Sequence, residues 1–375
     1  MVKRVGIVRK FLIGYPNFQA KSFIRNLRKI DTMRNERGTG KPADFSGGVL
    51  PEQLCCPVHR QALKTRPPRD VNSSYDLGCP EGCTFPVIRG IPRFVGADNY
   101  ADSFGLQWNH YRTTQLDSHT GLPISRERLT RCLGGDLEVV RGKTVLEAGC
   151  GAARFTEVLL QAGAHVVAFD LSSAVEANFA NCSGYENYFV CQADLLHPPT
   201  LPGSFDIVLC LGVLQHTPNP EAAMANLARY VKPGGMLVID HYRRMRQPLT
   251  AVVLRNILRR LPPAPAFASC RWLFRTLFPV HRLLAPRPKS FVRRCLRALW
   301  LRVSPLMNYY DDYQQLPEAI LEAWMELDTH DSLTDYYKHR RTRGEIARHL
   351  EACGLAEVRA WYGGNGVEAL ARRAA

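Results

Sequence analysis

A carboxylate, two glycines and an arginine fall within twelve residues at Thr144 to Phe155, TVLEAGCGAARF. A β-branched and apolar run leads to Glu147, and Gly149 and Gly151 form a turn that opens into a helix. Such a turn lets backbone N–H groups and the helix N-terminus come close to a bound cofactor. The chemistry is not that of a dinucleotide. Arg154 stands where G-x-G-x-x-G requires its third glycine, and Glu147 would meet a pyrophosphate with like charge. A cofactor with a cationic amino-acid end suits the carboxylate.

Further acids follow at regular intervals. A helix over about 154–162 ends at Gly163, and a strand, His165 to Phe169, delivers Asp170 about twenty residues after the glycines, where a carboxylate can accept both hydroxyls of a ribose. A third strand, Tyr188 to Cys191, leads to Asp194; GSFDIVLCLGVLQHT (203–217) and KPGGMLVID (232–240) read as two more strands with their turns.

In this order and spacing the pieces resemble the class I S-adenosylmethionine (SAM)-dependent methyltransferases, whose cofactor carries both an ammonium and a sulfonium. The resemblance implies a doubly wound α/β sheet of seven strands with an antiparallel last strand. It implies a cofactor site at Glu147, Gly149, Gly151, Asp170, Leu171, Asp194, Leu195 and Leu211, with Asp194 accepting from the adenine amino group. Arg154 has two readings, a partner of the cofactor carboxylate or a solvated first-turn residue. Asp206 opens its strand and has two readings, holding a neighbouring loop or touching the substrate, and is left out of the site. Cys150 and Cys210 are read as small core residues.

Elements outside this frame set the domain organisation. Residues 1–48 are basic and weakly periodic, which predicts a disordered tail. In 51–98, Cys56 and His59 form one ligand pair and Cys79 and Cys83 another, separated by nineteen residues, a loose zinc-ribbon spacing. The segment resembles the small zinc-ribbon domain that activates certain tRNA and protein methyltransferases and that is fused to some bacterial ones, which implies one Zn²⁺ or a metal-free ribbon. Residues 99–140 read as a connecting helical segment whose FG-x-QW stretch resembles one carried by fused zinc-ribbon methyltransferases, which implies that Phe104 and Trp108 cap the cofactor and substrate pocket or anchor the segment to the sheet. The methyltransferase domain is then 141–375, with a helical insertion at 243–335. A hairpin at Gly363-Gly364-Asn365-Gly366 joins the last two strands.

The net charge of +15 is uneven: residues 241–305 hold fifteen Lys or Arg and no acid, and residues 1–41 hold eleven against two. Apolar residues recur at helical spacing between these arginines, a pattern that can lie on an anionic membrane surface, cover an acyl substrate, or form a lid whose arginines face water. The runs are too apolar for tracking nucleic-acid phosphates. Arg9 and Lys10 interrupt the first apolar stretch, so neither a leader nor a membrane span is expected. Twelve scattered cysteines fit a reducing, cytoplasmic setting, with peripheral attachment at the inner membrane face as the variant.

Methyl transfer needs a base only when the acceptor must lose a proton. His216, in the turn after the fourth strand, is the first candidate and His241 the second; Tyr242, Tyr336 and Tyr337 are candidates for lining the acceptor. The expected acceptor is a small or lipid-like molecule. An RNA or protein methyltransferase is the enzymatic rival, although Gly212-Val213-Leu214-Gln215 replaces the Asn-Pro-Pro-Tyr type motif of those families. A non-catalytic SAM-binding scaffold is the rival outside enzymes.

Overall fold

The computed structural model describes residues 51–375 apart from Asp70, Ala97, Asp98, Arg246, Pro288, Lys289 and Asn365. The expected N-terminal tail therefore lies outside the described residues, as does the centre of the last hairpin turn.

Short strands β1 (Lys64–Arg66), β2 (Tyr75–Gly78), β3 (Thr84–Ile88) and β4 (Ile91–Pro92) form an antiparallel sheet in chain order. Helices α1 (Asp102–His110), α2 (Asp117–Thr120) and α3 (Ile124–Cys132) follow. The main alternation is β5 (Thr144–Ala148), α4 (Thr156–Gln161), β6 (His165–Asp170), α5 (Val175–Cys182), β7 (Tyr188–Gln192), β8 (Phe205–Cys210), α6 (Pro220–Ala228) and β9 (Val231–His241). The insertion supplies α7 (Leu249–Leu258), α8 (Pro263–Leu284), α9 (Phe291–Val303) and α10 (Glu318–Thr334). The chain closes with α11 (Arg343–Ala352), β10 (Leu355–Gly363) and β11 (Gly366–Arg373).

The large sheet has the order β10-β11-β9-β8-β5-β6-β7. All neighbours are parallel except β11, which runs antiparallel to both β9 and β10, so the expected sheet and its reversed last strand are present. Strands covered on both faces are buried along most of their length, and the period of two divides their side chains between two cores. Leu146, Val208, Leu237 and Ile239 face a core completed by α6 and α11; Val145, Ile207, Leu209, Met236 and Val238 face the core under α3, α4 and α5. Helix α11 begins with a reciprocal cap, in which Thr342 and Glu345 satisfy each other's backbone N–H.

The small sheet is not a free-standing unit. Leu54, Leu77 and Val87 belong to the same buried core as β5 and β8. Arg93 and Phe94 continue the main sheet past its edge: Arg93 bridges Gln192 in parallel and the Phe94 N–H donates to the Gln192 carbonyl at 2.8 Å. The C-terminal end of the β7 edge is thereby covered. Residues 328–334 form the last two turns of α10. Asp and Thr are poor helix formers, but tertiary partners of Asp328 and Asp331 override that preference. No helix of the described residues is long and apolar enough to cross a membrane.

Candidate functional site

The C-terminal ends of β5, β6, β7 and β8 open into a solvent-open cleft of ≈ 930 Å³. At its floor Gly149 holds φ +77°, and a Cβ there would lie 2.3 Å from Val213 Cγ2, so the turn needs glycine for both backbone and space. Gly149, Gly151, Arg154, Asp170, Leu171, Asp194, Leu195, Leu211 and His216 all line this cleft, as do Phe104 and Trp108 of α1.

Asp170 is held rigidly. Its Oδ1 accepts from the Ser172 N–H at 2.8 Å and the Ser172 hydroxyl at 2.7 Å, and its Oδ2 accepts from the Gly151 N–H at 3.0 Å. Burial raises its pKa, with these bonds opposing the shift. Each oxygen retains acceptor capacity for a ligand hydroxyl. Asp194 accepts from the Leu196 N–H at 3.0 Å. Asp206 lies outside the cleft and holds the Thr144 N–H at 2.9 Å and Lys232 at 3.4 Å, the loop-holding one of its two readings.

Arg154 is not a solvated surface residue. It donates to Gln115 Oε1 at 3.0 Å and Ser125 Oγ at 3.2 Å, and its guanidinium lies over the rings of Phe155 and Trp324. Burial lowers its pKa, and among the described residues no carboxylate lies within 4.0 Å of it. A half-buried cation with no carboxylate in direct contact, at a cleft wall, can receive an anionic ligand group.

Four expected site residues are not brought to the cleft. Glu147 is buried beneath it, accepting from the Thr156 hydroxyl at 2.6 Å, and burial pushes its carboxyl up to about 8. His241 is fully buried, its Nδ1 3.1 Å from the Tyr242 carbonyl, and burial pulls it down to about 4. The cause is parity: Asp240 points to the cleft side, where Arg128 and the Gly212 N–H bind it, so His241 points to the other face. Tyr336 is exposed and Tyr337 packs edge-on against Tyr100 at 5.4 Å; neither lines the cleft.

The Glu147 shift has a consequence for stability. The folded chain keeps a proton that the unfolded chain releases near pH 4.3, so stability falls as pH rises from about 4.3 to about 8, at about 1.4 kcal/mol per unit. Glu147→Gln removes that slope. Urea unfolding at pH 5, 6.5 and 8 should find the variant gaining on the native protein as pH rises, and parallel curves would reject the assignment.

A second, larger cleft of ≈ 2870 Å³ adjoins the first and shares Phe104, Trp108, Gln115, Arg128, Arg154 and Gly212 with it. Tyr242, Asp328 and Asp331 line it. Tyr242 donates to Asp331 Oδ2 at 3.1 Å. His216 stands between the clefts: its Nδ1 is 3.2 Å from the Tyr337 carbonyl and 3.5 Å from Asp335 Oδ2, and its Nε2 is 3.9 Å from Asp331 Oδ2. Asp331 and Asp335 were missed by sequence reasoning. Their signal was the spacing of acids in Asp328, Asp331 and Asp335, one face of a helix. Gln107 of the FG-x-QW stretch is buried and sits 2.5 Å from His330 Nδ1, tying α1 to α10.

In the small sheet, Cys56, His59, Cys79 and Cys83 bring their donor atoms within 4.8 Å of one another. His59 Nδ1 lies 3.8, 3.4 and 3.5 Å from the three sulfurs, and Cys55 is not part of the group. Tetrahedral zinc, with bonds of about 2.0–2.3 Å, needs donor separations of about 3.4–3.8 Å. The donor set and the three His59–sulfur distances fit that ion.

Residues 146–239 match the methyltransferase domain family. The ubiquinone biosynthesis O-methyltransferase of Azoarcus sp. is 36% identical over 128 residues, covering 32% of this chain and 54% of that protein. The enzyme of the same name from Cronobacter sakazakii is 33% identical over 126 residues, covering 32% and 52%. The chain thus spans about half the length of the curated relatives it matches. Among solved structures, the magnesium protoporphyrin IX methyltransferase of Synechocystis overlaps with a TM-score of 0.38 at 17% identity, covering 73% of this chain and 97% of that one. Residues 146–239, at the centre of the large sheet, thus carry a methyltransferase domain.

Proposed function

We propose that the protein transfers a methyl group from SAM, held in the first cleft, to a small or lipid-like acceptor held in the second. The observation that carries this reading is the shared wall between the two clefts, with His216 beside it. The names of the relatives favour a small-molecule acceptor and methylation at oxygen. Asp170 would hold the ribose, Asp194 the adenine end, and Arg154 the cofactor carboxylate.

Bound SAM supplies an activated methyl carbon, so the chain's task is alignment and removal of one proton. With the Nδ1 proton of His216 donated to the Tyr337 carbonyl, Nε2 carries the lone pair that accepts from an acceptor hydroxyl. Asp331 and Asp335 would stabilise the imidazolium so formed, and Tyr242 steadies Asp331. Phe104 and Trp108 would close the reacting centre to water.

Zinc belongs to the same proposal. Cys56, His59, Cys79 and Cys83 would hold one Zn²⁺ in a purely structural role, with no open position for chemistry.

The test is incubation with SAM labelled in its methyl group and an extract of polar metabolites and lipids. A labelled organic product is expected from the native protein, with at least a tenfold loss for His216→Ala. SAM binding by calorimetry without any labelled product would instead favour a scaffold.

A further inference from the structure

Three consecutive helices of the insertion turn apolar stripes to solvent. In α7, Leu249, Val253 and Ile257 recur every four residues and are 76%, 49% and 55% exposed, while Ala251 and Leu258 on the opposite side are buried. In α8, Trp272 and Leu283 are 69% and 67% exposed, and Cys270, Phe274 and Phe278 face inward.

Helix α9 is packed the reverse of a helix in a water-facing domain, where the apolar stripe is buried. None of its residues is buried. Its inward side is taken by Arg297, which donates to the Ala285 carbonyl at 2.6 Å and pairs with Asp311 at 2.5 Å, and by Trp300, which donates to His281 Nδ1 at 3.1 Å. Val292, Leu296, Leu299 and Val303 are left facing outward. The start of α7 and the end of α9 adjoin, since the Thr250 hydroxyl donates to the Val303 carbonyl.

The charge around this face has one sign. No acid occurs in residues 241–305. Arg271, Arg282, Arg287 and Arg297 pair with carboxylates from α10 and the preceding loop. Arg275, Arg293, Arg294 and Arg302 have no such partner among the described residues.

We propose that α7, α8 and α9 dock this face on an anionic bilayer. Apolar stripes with an exposed Trp, flanked by unpaired arginines, are the pattern of an interfacial helix, and the arginines match anionic headgroups. A second copy of the chain would set arginines against arginines. A nucleic acid would leave the apolar stripes in water. The inference rests on the second cleft being the acceptor site, and it narrows the acceptor to an amphiphile drawn from the membrane. Met245, Pro248 and Ala251 at the start of α7, and Leu306 and Met307 beyond α9, line that cleft. Its wall therefore meets the docking face where α7 and α9 join.

Flotation of the full chain with vesicles tests this. Vesicles of equal phosphatidylglycerol and phosphatidylcholine should carry the protein at 50 mM NaCl, with at least a fivefold drop on pure phosphatidylcholine or at 500 mM NaCl. The variants Leu296→Ser with Leu299→Ser, and Arg293→Gln with Arg294→Gln, should each lose flotation at least fivefold while melting and SAM binding stay unchanged. Arg297 is left alone because it packs inward. Three results would overturn the proposal: no flotation of the native chain on anionic vesicles at low salt; flotation equal in the variants; or light scattering of a dimer that the serine variants dissolve. SAM binding by the native chain, measured in the same samples, separates the readings. Its absence removes the methyltransferase proposal, whereas its presence without flotation removes only the membrane.

Discussion

Asp170→Ala is expected to weaken SAM binding at least a hundredfold. Two charge-assisted bonds to the ribose are lost, each worth about 1.5–3 kcal/mol. The carboxylate also fixes the turn that would receive the cofactor, because Gly151 and Ser172 donate to it. Calorimetry with SAM reads the affinity, and circular dichroism checks that the sheet persists. Asp170→Asn separates the two contributions: it keeps one oxygen to accept from the turn but loses the charge. Affinity unchanged in both variants would remove the ribose role.

The double variant Cys79→Ser with Cys83→Ser should lose bound zinc and a large part of its thermal stability. Structural zinc in small folds contributes on the order of 10 kcal/mol at neutral pH. Here the loss would not stay local, since Leu54, Leu77 and Val87 share a core with the main sheet. A melt by scanning calorimetry should therefore show one transition shifted downward as a whole, with metal content measured alongside. Native protein that carries no zinc after purification in metal-replete buffer would mean a metal-free ribbon. A small early transition beside an unchanged main one would mean that the ribbon unfolds alone.

Much of the sheet was legible because short apolar runs bounded by glycines and acids leave few alternatives. The glycine turn and Asp170 were legible for the same reason, since their chemistry is local. Two misplacements came from direction rather than position. His241 follows Asp240 on one strand, and the period of two sends them to opposite faces. Glu147 lies on the strand face that the helices α3 and α4 cover, so a residue adjacent to the turn points beneath it. Tyr336, Tyr337 and the Asp331–Asp335 pair depend on how a long insertion packs back over the sheet, which no local pattern specifies. The group of Cys56, His59, Cys79 and Cys83 was read from its spacing, and the convergence of its donor atoms adds the distance test that spacing lacks.

The covering of the β7 edge has a consequence for how the chain is made. Arg93 and its partner Gln192 are 99 residues apart, so the small sheet leaves the ribosome about 5–20 s before the strand it must join, at ordinary synthesis rates of about 5–20 residues per second. During that interval Leu77 and Val87 have no main sheet to bury against. The proposed zinc, loaded early, would hold the four strands ready for capture, and zinc supply during synthesis would then matter more than supply afterwards.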